Sequence, residues 1–168
     1  MRTRTDGFTL VELLIVVIIL GILAAVVIPQ FTNSTADAQV ANLTQNLQAM
    51  RSATELYKAQ HNNLYPGYPV GGGTPTAALV RDQMLKASKK DGSTAAPGTS
   101  GYAFGPYLKG DLPKNTFNDL NTVLIITDGT AMPTAGDDST GWVFKPQTGE
   151  LRCNSAGNAP DGSRLFDL

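Results

Sequence analysis

The stretch Gly7-Phe8-Thr9-Leu10-Val11-Glu12, continuing through apolar residues to Ile28, decides how this chain is read. A short basic leader, Met1-Arg2-Thr3-Arg4-Thr5-Asp6, ends at Gly7. About a bilayer's thickness of apolar residues follows, with a single carboxylate, Glu12, near its start. A carboxylate inside a membrane span costs about 2.5–3.5 kcal/mol on insertion scales, so an intramembrane Glu calls for a partner and a function. The simplest partner is a positive charge at a chain terminus, and a cut after Gly7 creates one on Phe8.

Working outward, residues 8–62 read as one helix. At 1.5 Å per residue it reaches about 80 Å, far beyond the ~30 Å hydrocarbon core of a bilayer. Its first half is apolar all round. From Thr32 the pattern narrows to a stripe of Val40, Leu43, Leu47, Met50, Thr54 and Tyr57, alternating steps of three and four, with polar Asn42, Gln45, Gln48, Arg51 and Lys58 elsewhere. That matches one buried helical face, read first as the spine of a globular head and second as an independent coiled coil, for which about three heptads is short. Gly21 and Pro29 weaken the helix locally, Pro29 by removing an N–H and crowding the preceding turn, so a kink is expected there. His61-Asn62-Asn63, followed by Pro66 and Gly67, ends the helix.

Beyond it, residues 64–73 form a turn-rich loop ending in Gly71-Gly72-Gly73. A second helix is expected from Thr74 as cap and Pro75 in the first turn to about Lys89, with Ala77, Val80, Met84 and Ala87 inward. Residues 91–101, rich in Gly, Ser, Thr and Ala, read as mobile. A β-branched run over 121–128 reads as a strand. Residues 142–145 and 150–154 read as two strands joined at Pro146-Gln147-Thr148-Gly149. The tail is loop with a docking end at Leu165 and Phe166. Tyr102, Phe104, Tyr107, Phe117, Trp142 and Phe144 are the expected aromatic anchors. The fold class is α+β: a long helix packed on a small antiparallel sheet, with a head large enough for a modest core.

Composition excludes several functions. With 42% hydrophobic and 16% charged residues and a net charge of −1, nothing marks a nucleic-acid surface; loss of the leader moves the charge to −2. Cys153 is the single cysteine, so no intrachain disulfide framework exists, and it reads as a small core residue. His61, the single histidine, reads as an exposed cap residue. Gly71-Gly72-Gly73 lacks the Lys and Ser/Thr of a phosphate-binding loop. One Cys and one His make zinc unlikely to be held. No catalytic constellation appears, and the chain reads as a non-enzyme. Calcium is the one metal the sequence suggests: Asp128, Asp137 and Asp138 flank a loop with Gly129, Gly136 and Ser139, and such a loop supplies carboxylates and carbonyls together. Arg2 and Arg4 precede the span and place the N-terminus in the cytoplasm and the head in the periplasm or outside. An ordinary secretory signal cut at Ser34-Thr35-Ala36 competes, but its apolar region is too long and contains Glu12.

Gly7, Phe8 and Glu12 resemble, at every position, the processing site of the type IV pilin and type II secretion pseudopilin superfamily, and Pro29 falls where many members carry a helix-kinking proline. The resemblance covers residues 1 to about 31. It implies a pilin-like fold, a leader 1–7 removed by prepilin peptidase, N-methylation of Phe8 and a transmembrane or filament-core helix over 8–31. Residues 32–168 then form the head. Leu56-Tyr57-Lys58 with Leu64-Tyr65-Pro66, and Gly105-Pro106-Tyr107-Leu108-Lys109 with Leu112-Pro113-Lys114-Asn115-Thr116-Phe117, are similar to the major pseudopilin, type II secretion system protein G. That family commonly has Asp-Pro-Trp where this chain has Asn115-Thr116-Phe117. It also binds calcium in a C-terminal loop, which this chain does not match residue by residue, so no ligands carry over. Gly141-Trp142-Val143-Phe144 through Glu150 occurs in pilin-like proteins outside secretion systems too.

The resemblance implies a subunit that waits in the inner membrane and assembles into a homopolymer. Expected partners are lipid, prepilin peptidase, minor pseudopilins and an inner-membrane assembly platform, with no nucleic acid bound directly. Glu12 of an incoming subunit would pair with the Phe8 ammonium of a neighbour; losing one partner of such a pair in low dielectric costs about 3–5 kcal/mol. A periplasmic secretion pseudopilus is the first reading and a type IV pilus for adhesion, motility or DNA uptake the second. A non-assembling, membrane-anchored binding protein is the alternative from another class.

Overall fold

The computed structural model describes residues 8–168, and along 28–34 the backbone course alone. The leader 1–7, with the expected cut after Gly7, lies outside the described residues. Helix α1 spans Leu10–Gln60, 51 residues and roughly 77 Å of rise. Its helical assignment runs unbroken through Gly21 and Pro29; the Pro29 side chain falls outside the described residues. Thr9 caps the start. At the other end Asn62 and Asn63 take left-handed φ values of 52° and 63°, which short polar side chains tolerate and which turns the chain out of the helix.

The two halves of α1 have different surroundings. Side chains 8–27 are all exposed, whereas Leu43, Leu47, Met50, Thr54 and Tyr57 are buried. The stripe that alternates steps of three and four is therefore the face the head packs on. Each large apolar side chain buried there contributes about 1.5–3 kcal/mol.

Helix α2 spans Ala77–Leu85, capped by Thr76, whose hydroxyl accepts from Leu79 N. The expected cap at Thr74 and end at Lys89 are both corrected. Pro75 is buried ahead of the cap, and Lys86 turns extended to lead into strand β1, Ala87–Ser88. Val80, Met84 and Ala87 are buried as expected; Ala77 is exposed, and Gln83 takes an inward place. Strand β2, Thr94–Ala95, pairs antiparallel with β1, so the segment expected to be mobile holds one arm of a ribbon.

The main sheet orders strands β3 (Val123–Ile125), β4 (Trp142–Lys145) and β5 (Glu150–Cys153) in sequence. The β4–β5 pair is an antiparallel hairpin, closed by bonds from Thr148 N and Gly149 N to Lys145 O. The β3–β4 pair is parallel, made possible by the long connection between them; the sheet is thus mixed. Trp142 and Phe144 join the core on the spine, and Val143, between them, joins a second cluster with Ile126 and Phe166. Leu165 and Phe166 of the tail are both buried, in the first and second cluster respectively. The tail therefore docks as the sequence suggests and covers β4 on its far side.

Candidate functional site: the exposed N-terminal helix

Phe8 is 78% exposed, and among the described residues nothing covers the apolar side chains that follow it up to Val27. Leu10–Val27 is the one helix segment among the described residues long and apolar enough to cross a membrane. Glu12 is the lone charged residue between Phe8 and Ala36. Thr9 and Glu12 form a reciprocal capping box: Glu12 Oε2 accepts from Thr9 N and Thr9 Oγ1, both at 2.8 Å, and Thr9 Oγ1 accepts from Glu12 N at 3.2 Å. The local sequence favours this, since a Thr followed three residues later by Glu satisfies two otherwise orphaned backbone donors. Among the described residues the Glu12 carboxylate thus has a neutral partner, Thr9, which adjoins the Phe8 nitrogen that cleavage after Gly7 would free.

The other candidate residues separate. Asp128 Oδ1 accepts from the Tyr68 hydroxyl at 3.1 Å. Asp137 Oδ1 accepts from Ser139 N, Ser139 Oγ and Asn154 Nδ2, and these bonds hold its carboxyl below the usual range. Asp138 Oδ1 accepts from Ala156 N. Among the described residues no three His, Cys, Asp or Glu side chains gather where a metal ion could be held. The three aspartates are not gathered into one cluster among the described residues.

Cys153 is buried, donates to Leu165 O and has its thiol pushed up by burial, the environment of an inert core thiol. His61 reverses its expectation: it is 2% exposed, not a solvated cap. Its Nδ1 lies 2.8 Å from Tyr57 O, which only accepts, so Nδ1 carries the proton and Nε2 accepts from Ser88 Oγ at 2.9 Å. The spacing resembles a nucleophile and its base, yet Ser88 is wholly buried. The signal for His61 was in the sequence: Leu43, Leu47, Met50, Thr54 and Tyr57 continue, by one more step of four, to residue 61.

The family description "Prokaryotic N-terminal methylation motif" matches residues 2–28. A fimbrial protein of Pseudomonas aeruginosa is 33% identical over 62% of this chain and 73% of its own length. A fimbrial protein of Neisseria meningitidis serogroup B is 37% identical over 52% of this chain and 51% of its own. The type II secretion system core protein G of Pseudomonas aeruginosa is 40% identical over 54% of this chain and 63% of its own. The chain spans about half the length of the first of the curated relatives it matches. No solved structure matches it significantly. The likeness to the Pseudomonas fimbrial protein covers 73% of that protein and extends well past residues 2–28, and on that ground the chain belongs to the superfamily of type IV pilins and type II secretion pseudopilins.

Proposed function

We propose that this chain is a membrane-anchored structural subunit, cut by prepilin peptidase after Gly7 and N-methylated at Phe8. It assembles with copies of itself into a type II secretion pseudopilus that drives protein export. The observation that carries this is the methylation motif coinciding with an exposed apolar helix that holds one carboxylate, Glu12. Apolar packing of such helices supplies cohesion, and pairing of Glu12 with the Phe8 ammonium of a neighbour sets the register. A methyl group leaves that amine protonatable. Minor pseudopilins and an inner-membrane platform are the partners this role requires, and the role needs no catalytic group.

Mass spectrometry of the N-terminal peptide from membrane-extracted protein tests the processing step. A start at methylated Phe8 is expected; a start at Met1, or near Asp37, rejects it. Fimbrial proteins at comparable identity favour a second reading, a type IV pilus subunit. Deletion separates the two: loss of an exported hydrolase from the medium supports the pseudopilus, and loss of surface filaments with export intact supports the pilus.

A further inference from the structure

Beyond the C-terminal end of α1 lies a half-open cavity of about 370 Å³, inside the range of about 300–1,000 Å³ typical of small-molecule pockets. One of its lining residues, Tyr57, is 2% exposed, and no hydrogen bond to its hydroxyl is found among the described residues. Every fully enclosed side-chain polar atom among them does have a partner, so Tyr57 Oη keeps its contact with the cavity space. Gly92 leaves that space open, since a Cβ there would stand 3.1 Å from Tyr57 Oη. A nearly buried phenol with unused donor and acceptor capacity marks a polar ligand position.

The groups around Tyr57 determine what that ligand is. Asp91 uses Oδ1 for Ser93 N and Ser93 Oγ, at 2.9 and 2.7 Å, and keeps Oδ2. Asn62 donates Nδ2 to Lys90 O at 3.3 Å and keeps Oδ1. Lys90 and Tyr68 also line the cavity. Residues of both charge signs, Lys90 and Asp91, border the cavity, and a wholly apolar ligand leaves the nearly buried Tyr57 Oη without a partner. A neutral ring carrying several hydroxyls satisfies all of them, because each hydroxyl both donates and accepts, while its C–H face packs on a tyrosine ring. We propose that this cavity is a saccharide site, taking one or two neutral sugar rings. The proposal stands apart from the filament reading, since the cavity lies at the far end of α1 from Phe8 and Glu12.

The test uses the full chain in polyoxyethylene detergent micelles, which carry no sugar headgroup. It is titrated with maltose, cellobiose and N,N′-diacetylchitobiose while backbone amide NMR signals are followed. At least one disaccharide is expected to give saturable shifts at Asn62, Asp91 and Gly92, with affinity falling about five- to tenfold in Tyr57→Phe. That substitution keeps the ring stacked on His61 and removes Oη alone, and an unchanged spectrum away from the cavity verifies the fold. Should it disturb the fold, Asp91→Asn, which can still accept from Ser93, is expected to weaken binding similarly. The proposal is overturned if none of the three sugars gives saturable shifts at millimolar concentration, or if binding ignores both substitutions. It is also overturned if tetramethylammonium or inorganic phosphate saturates the cavity while the sugars do not.

Discussion

The His61 imidazole lies flat on the Tyr57 ring, their centroids 3.7 Å apart and their planes 1° from parallel. Phe104 and Tyr107 meet the imidazole edge-on, at 5.4 and 6.0 Å. The stack carries the buried face of α1 to its last turn and seats the β1 strand on it through Ser88.

This placement makes stability depend on pH. Burial lowers the His61 pKa below its ordinary 6.5, outweighing the hydrogen bond to Tyr57 O, the backbone contact at Lys89 and the nearby Asp91 carboxylate, which all raise it. The unfolded chain therefore takes up this proton at higher pH than the folded one. The stabilisation is complete above 6.5 and is lost as pH falls toward the lower folded value. Urea unfolding midpoints measured from about pH 7.5 down to about pH 5 should fall across that window. His61→Phe should flatten the slope, because the chain has no other histidine. Identical slopes in both proteins would reject the assignment.

Arg51 fastens the spine to the sheet and the tail. Its Nε and Nη2 donate to Leu151 O at 3.2 and 2.9 Å, and Nη2 also donates to Leu168 O at 2.9 Å. Arg51→Met should lower unfolding stability by about 1–3 kcal/mol, since it strips donors from two carbonyls. Arg51→Lys should recover part of the loss, because an ammonium lacks the planar fork that reaches both. Wild-type stability in Arg51→Met, measured by urea unfolding, would show these bonds to be idle.

Gly149 is fixed by a ring. Its φ is +81°, and a Cβ there would run into the Tyr65 side chain, itself packed edge-on against Phe144. Gly149→Ala combines a left-handed backbone with a collision in the core, and a loss of about 3 kcal/mol or more is expected. Thermal unfolding reads it directly; an unchanged midpoint would mean the β4–β5 turn relaxes without disturbing Tyr65.

The same turn shows what could be read in advance. Its position and the spine stripe follow from local signals: turn residues, and steps of three and four. The collision with Tyr65 does not, because it joins residues far apart in sequence. The parallel pairing of β3 with β4 has the same cause, since register across a long connection leaves no local pattern. Asn115 is another case. It sits where the related family has an acid, and it is fully buried, donating to Gly141 O and Ser155 Oγ and accepting from Phe117 N. At the N-terminus the motif points to Phe8 and Glu12, and the Thr-x-x-Glu spacing of Thr9 and Glu12 is a separate local signal, that of the capping box. Among the aspartates, shared composition suggested a shared site, but Asp128 turned to Tyr68 while Asp137 and Asp138 turned to the residues after β5.

The capping box lets the charge of Glu12 be separated from its part in the helix end. Thr9→Ala removes the cap, which costs about 0.5–2 kcal/mol locally, and leaves the carboxylate. Glu12→Gln keeps an acceptor for Thr9 N, as Gln serves in this box too, and removes the charge. If an ion pair with a neighbour's Phe8 ammonium sets assembly, Thr9→Ala subunits should enter filaments at near-normal yield and Glu12→Gln subunits should not. Yield is measured on sheared filaments, with cleavage and methylation of each variant checked by mass spectrometry so that processing and assembly stay distinct. Equal losses would assign the effect to the helix end. Normal yield from Glu12→Gln would remove the ion pair and leave apolar packing of the exposed helix to hold the filament.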